Sequence, residues 1–131
     1  MLEQYLKQLL LDLELEPTVE KSRENFYSLK LPQISEIQLK KLDPGFYFKT
    51  TVGPTPEKRK EDFLGLLLRA NYLGQGTRGA SLGMSLDEKF LTLSASLSYE
   101  MNYKHFKESI EDFVNTTYYW QDELKLHNTI P

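Results

Sequence analysis

The chain has 131 residues, of which 40% are apolar and 27% charged, with no cysteine and a net charge of −3 from 16 basic and 19 acidic side chains. That length suits one domain, over 1–131, that folds without a disulfide or a metal. The missing thiols exclude disulfide scaffolds, cysteine nucleophiles and zinc–thiolate or iron–sulfur sites, and the acidic balance disfavours nucleic acid and anionic membranes, both of which need basic patches. No apolar run nears the roughly 18 residues of a membrane span. Glu3, Lys7, Asp12 and Glu14 break up the leucine-rich start in a way no signal peptide does.

Leu2, Tyr5, Leu6, Leu9, Leu10 and Leu13 follow the i, i+3, i+4, i+7 spacing of a core-facing helix, which Pro17 ends. Leu11 and Leu15 point away from that stripe, either as scattered surface leucines or as a small apolar patch for a partner. Polar Thr18–Asn25 reads as a loop. The period then changes to two, and Phe26–Leu31, Glu36–Leu42 and Phe46–Val52 read as strands separated by Pro32-Gln33 and Asp43-Pro44-Gly45 turns. Such short connections make an antiparallel meander.

Thr55 and Pro56 have the chemistry of an N-cap and first helical residue, opening a helix that runs to about Leu73. Phe63, Leu64, Leu67 and Ala70 form its main face, Leu66 and Leu73 one flank, Leu68 and Tyr72 the other. A helix apolar on most sides is covered on most sides, and in so short a chain the second cover is most simply a second subunit, the alternative being cover entirely within the chain. After the Gly74–Gly79 turn, Ala80–Leu86 and Phe90–Leu97 form a hairpin about Asp87-Glu88-Lys89. Asn102 caps a last helix whose stripe is Phe106, Ile110, Phe113, Val114, Thr117, Trp120 and Leu124, and the tail 127–131 is expected to fray. The order α-β-β-β-α-β-β-α predicts an α+β domain with a five-stranded antiparallel sheet and its helices on one face.

The motifs that resemble chemistry fail on context. Gly74-Gln75-Gly76-Thr77-Arg78-Gly79 spells G-x-G-x-x-G, but it follows a helix and precedes a strand, so no helix N-terminus meets a phosphate there. His105 and His127 have no partner at metal-ligand spacing. In Glu111-Asp112 and Asp122-Glu123 the neighbouring carboxylates diverge by about 100° on a helix and cannot close on one substrate. Asp87-Glu88 is hairpin polarity. Ser81, Ser85, Ser94, Ser96 and Ser98 lie on the polar side of strands, and none sits in a G-x-S-x-G elbow. No motif requires a metal or a cofactor, and no catalytic residue is assigned. A binding module remains, with apolar helix flanks and a sheet edge suited to an extended peptide.

Leu66-Leu67-Leu68-Arg69-Ala70-Asn71 running into Gly79-Ala80-Ser81-Leu82-Gly83-Met84-Ser85, then Phe90-Leu91-Thr92-Leu93, then Phe106 through Phe113 to Trp120 and Leu124 resemble the class I type III secretion chaperones, the CesT/SycE-like group. Ser85 stands where that family often has an acidic residue. The resemblance implies a non-enzymatic dimer of the bacterial cytoplasm. Such a dimer binds the N-terminal region of a secreted effector or gatekeeper in extended form, keeps it secretion-competent and helps target it to the apparatus. It implies a dimer interface of Leu66, Leu68, Tyr72, Leu73, Leu82 and Met84, and cargo contacts at Leu11, Ile37, Leu39, Phe46 and Phe48. It leaves open a homodimer or a heterodimer with a second small chaperone. The competing readings are a small-molecule-binding or catalytic α+β domain whose pocket forms only in the fold, and an adaptor outside any secretion system.

Overall fold

The computed structural model describes residues 2–12, 20–23, 26–31, 34–72 and 79–129. Its helices are α1 (Leu2–Asp12), α2 (Lys60–Asn71) and α3 (Tyr103–Thr129). Its strands are β1 (Glu20–Arg23), β2 (Phe26–Leu31), β3 (Ile34–Lys41), β4 (Phe46–Pro54), β5 (Ser81–Met84) and β6 (Phe90–Leu97). The strands form one antiparallel sheet in the order β1-β2-β3-β4-β6-β5. The α+β architecture is as the sequence predicts, with one strand more than expected among the described residues. Glu20–Arg23, read as loop, pairs with β2 as the edge strand β1. All four of its residues are polar, so the sequence shows no apolar alternation there. Leu13, Leu15 and Pro17, the Pro32-Gln33 turn, Leu73, Gly74–Arg78, Ile130 and Pro131 lie outside the described residues.

Register explains which side of the sheet is buried. Ile37 pairs with Thr50 and Thr50 with Leu93, while Leu39 pairs with Phe48 and Phe48 with Ala95. These side chains share one face, and Leu29, Ile37, Leu39, Phe48 and Leu93 have no more than 1% of their surface exposed. The alternate residues Gln38, Lys40, Lys49, Thr51 and Ser96 are exposed on the other face. A one-sided antiparallel sheet requires such alternation. Leu6, Leu9 and Leu10 of α1 and Phe106, Ile110, Phe113, Thr117, Trp120 and Leu124 of α3 complete the core, as their spacing predicts.

Phe106 is the hub of this core. Its ring lies 4.9 Å from Phe46, 5.3 Å from Tyr5 and 6.1 Å from Phe48. Phe46 and Phe48 meet it edge-on, the arrangement in which ring quadrupoles attract. The buried hydroxyls of Thr116 and Thr117 donate to the carbonyls of Asp112 and Phe113, one helical turn back. Thr50 donates to the Glu36 carbonyl. Each of these three hydroxyls thus recovers the hydrogen bond it gave up to water.

Two helix ends depart from the sequence reading. α2 begins at Lys60 behind Arg59, which sits in the left-handed region at φ 49° and ψ 41°. Thr55 is not the cap. Its N–H donates to the Lys89 carbonyl at 2.9 Å, which holds it against the β5–β6 turn and delays the helix. Glu61 and Asp62 then fall in the first turn, where the helix dipole favours carboxylates. At the other end of the chain, α3 continues through the expected tail to Thr129. His127 is docked. Its ring lies 4.9 Å from Phe63, its Nε2 is 2.8 Å from the Lys58 carbonyl, and its own carbonyl accepts a bond from Arg59 Nη2 at 2.7 Å.

Candidate interaction surfaces

Besides Tyr99 ahead of α3 and Tyr119 and Leu126 on it, the exposed apolar side chains lie at three places. On α2 and its neighbour β5, Leu68 is 73% exposed, Tyr72 69% and Met84 36%. Phe63, Leu67 and Ala70 turn inward from the same helix. Leu66 is half-buried against the core, and Leu82 is buried. Of the six residues expected at the dimer interface, Leu68, Tyr72 and Met84 therefore offer surface, Leu66 and Leu82 stand behind them, and Leu73 lies outside the described residues.

The second place is the β5–β6 hairpin, where Leu86 and Phe90 are exposed. Sequence reasoning missed both, because it ran the strands on to Leu86 and from Phe90 and singled out neither residue as surface. The strand stops at Met84 because Ser85 and Asp87 build the turn. Ser85 Oγ donates to Asp87 Oδ1 at 2.6 Å, Lys89 N–H donates to the same oxygen, and Glu88 takes φ 61°. The Ser85 hydroxyl and the Lys89 amide hold the Asp87 carboxyl below its ordinary range.

The third place is α1. Leu11 projects into solvent, as its position opposite the helix stripe predicts. Beside it, Asp12 ties α1 to α3. Tyr103 donates to Asp12 Oδ2 at 2.7 Å, Gln8 donates to Oδ1 at 3.1 Å, and Lys107 Nζ lies 3.8 Å away. The Tyr103 bond, then that of Gln8, holds the Asp12 carboxyl below its ordinary value. Burial, then the Asp12 carboxylate, pushes the Tyr103 phenol up. The Tyr5 hydroxyl donates to the Met101 carbonyl, and Met101 lines a groove of about 510 Å³ with Leu42, Pro44, Phe46 and the charged Lys41 and Glu100.

The other four residues expected to meet cargo are buried. Ile37, Leu39, Phe46 and Phe48 are buried under α1 and α3, at 0%, 1%, 4% and 0% exposure. Their alternation reports the core, and Phe46 also lines the groove beside Met101. The two histidines are held separately. The His105 ring lies against Tyr99, and its backbone N–H donates to Asn102 Oδ1, so Asn102 is the N-cap that the sequence predicts. Among the described residues no cluster of histidine and acidic side chains is arranged to hold a metal. No helix among them is long and apolar enough to cross a membrane.

The chain belongs to the Tir chaperone protein (CesT) family, whose sequence model matches residues 4–121. It is thus a chaperone of type III secretion, as the resemblance implies. Three of the solved structures that share the fold show the likeness. One is the HopA1–SchA chaperone–effector complex, at 11% identity and TM-score 0.65, with 92% of each chain covered. Another is the heterodimeric ExoU–SpcU complex from the type III secretion system of Pseudomonas aeruginosa, at 15% identity and TM-score 0.64, covering 89% of this chain and 92% of that one. The third is YbjN from E. coli, proposed to be a transcription regulator, at 18% identity and TM-score 0.62, covering 95% and 92%. At these identities the likeness is one of fold alone. No curated protein matches the sequence.

Proposed function

We propose that the chain works in the bacterial cytoplasm as a dimeric chaperone without enzymatic activity. It binds the N-terminal segment of a secreted effector or gatekeeper, keeps it extended and export-ready, and helps deliver it to the secretion apparatus. The observation that carries this reading is membership, over residues 4–121, of a chaperone family. Of the structures that share its fold, one is a chaperone–effector complex and another is a heterodimeric complex from a type III secretion system.

The geometry suggests a division of labour. The outer side of α2, with Leu68 and Tyr72, and Met84 beside it form the contact between subunits, backed by Leu66 and Leu82. Apolar side chains this exposed favour burial at a twofold contact. Leu11 on α1 meets cargo. Ile37, Leu39, Phe46 and Phe48 serve that surface from below, by holding α1 and α3 rigid on the sheet.

The test is to tag the chain in its native host, isolate it from cytosol and weigh what co-purifies. Two copies bound to the N-terminal segment of one secreted protein establish the reading, and one small partner of the same fold establishes its heterodimeric form. A partnerless monomer overturns it.

A further inference from the structure

The edge of the sheet beside α2 is closed by a side chain. In an antiparallel pair the N–H and C=O groups of successive residues turn alternately toward and away from the neighbouring strand. Ser85 N–H donates to the Phe90 carbonyl at 2.9 Å, which fixes that alternation in β5. Residues 81, 83 and 85 face β6, and residues 82 and 84 turn their backbone groups outward. Both outward groups of Leu82 are taken by Asn71. Leu82 N–H donates to Asn71 Oδ1 at 2.8 Å, and Asn71 Nδ2 donates to the Leu82 carbonyl at 2.8 Å.

A primary amide carries a donor and an acceptor side by side in one plane, the same pair that a residue of an adjoining strand offers. Asn71 ends α2, and Tyr72 after it leaves the helix at φ −61° and ψ 115°. The side chain thus occupies one residue's length of an edge that would otherwise invite another strand.

We propose that Asn71 is an edge cap. It bars β5 of one copy from pairing with β5 of a second copy, so that copies of this chain associate through side chains rather than as one continuous sheet. Beyond the proposed chaperone activity, this assigns to Asn71 the choice of how two copies meet, and it stands whether or not cargo binds.

Two measurements test it. In hydrogen exchange on the purified parent, the Leu82 amide is expected to be as slow as the β6-bonded Ser85 amide. In Asn71→Ala it loses about tenfold in protection while the core Leu93 amide is unchanged. In sedimentation over a range of concentrations, Asn71→Ala forms a species larger than any the parent forms. Adding Met84→Pro removes the next outward N–H without touching a bond to β6, and it abolishes that species. A merely structural Asn71 would lower stability and leave the assembly unchanged. A fast Leu82 amide in the parent overturns the proposal without any variant. So does an Asn71→Ala protein that assembles like the parent, or a larger species that survives Met84→Pro.

Discussion

Leu11 and Leu68 supply a matched pair of probes. Both are leucines on helices, both are 73% exposed, and they lie on opposite sides of the proposed division of labour. Burying a whole leucine contributes about 1.5–3 kcal/mol, so covering the exposed part of Leu68 contributes about 1–2 kcal/mol per protomer. A twofold contact uses the residue twice, which gives about 2–4 kcal/mol per dimer, or a weakening of about 30- to 1,000-fold in Leu68→Ser. Serine costs the helix no more than about 0.5 kcal/mol, so the fold survives. Leu66→Glu is a poorer probe, because Leu66 packs against the core and its loss reports on folding as well. The assay is sedimentation equilibrium across a wide concentration range, with urea unfolding of each variant as a control. Leu68→Ser is expected to shift the dimer constant, and Leu11→Ser to leave it at the parent value. Equal constants in both variants, or equal losses, would refute the assignment of the α2 surface to the dimer.

Three further expectations concern the fold and its pH response. Gly45→Ala should cost more than about 4 kcal/mol in urea unfolding, since Gly45 sits at φ +103° and an added Cβ would lie 1.8 Å from the Leu97 carbonyl oxygen. Phe106→Ala should lose about 3–5 kcal/mol by emptying the hub of the aromatic cluster, and a loss under about 1 kcal/mol would contradict that role. Asp12 has its carboxyl held below the ordinary 3.8, mainly by Tyr103. The stability from this bond is complete above that ordinary value and fades as pH falls through the lowered one. The gap in unfolding free energy between parent and Tyr103→Phe should therefore be constant near neutral pH and narrow in acid. At the alkaline end the raised Tyr103 phenol makes its contribution complete below its ordinary 10.0 and loses it as pH climbs further.

The parts of this fold that read directly from the sequence are those whose pattern has one cause. The stripe from Phe106 to Leu124 is apolar because α3 lies on the sheet along its length, and β6 falls on the residues where alternation places it. β1 does not read from the sequence, since its four residues are all polar and carry no apolar period. The start of α2 was misread because Thr55 and Pro56 have cap chemistry, whereas a distant carbonyl, that of Lys89, decides where the chain turns. The surfaces were half legible. Periodicity shows that Ile37, Leu39, Phe46 and Phe48 face something apolar, but not whether that is the chain's own helix or another protein's segment. Leu11 and Leu68 break their helix patterns, and that signal does reach the surface. Asn71 at a helix end looks like ordinary capping, and its bonds to Leu82 follow from a strand that returns only after the intervening loop.

The two ends of α3 are fastened to different neighbours. Near its start, Tyr103 and Lys107 hold Asp12 of α1, and near its end His127 is clasped by Lys58, Arg59 and Phe63 at the head of α2. At 1.5 Å per residue, the 27 residues of α3 span about 40 Å. The helix is therefore a ruler that sets how far the α1 surface lies from the α2 end of the same subunit. An extended chain advances about 3.3 Å per residue, so a segment reaching from one to the other needs at least about 12 residues. A shorter cargo segment would have to choose an end.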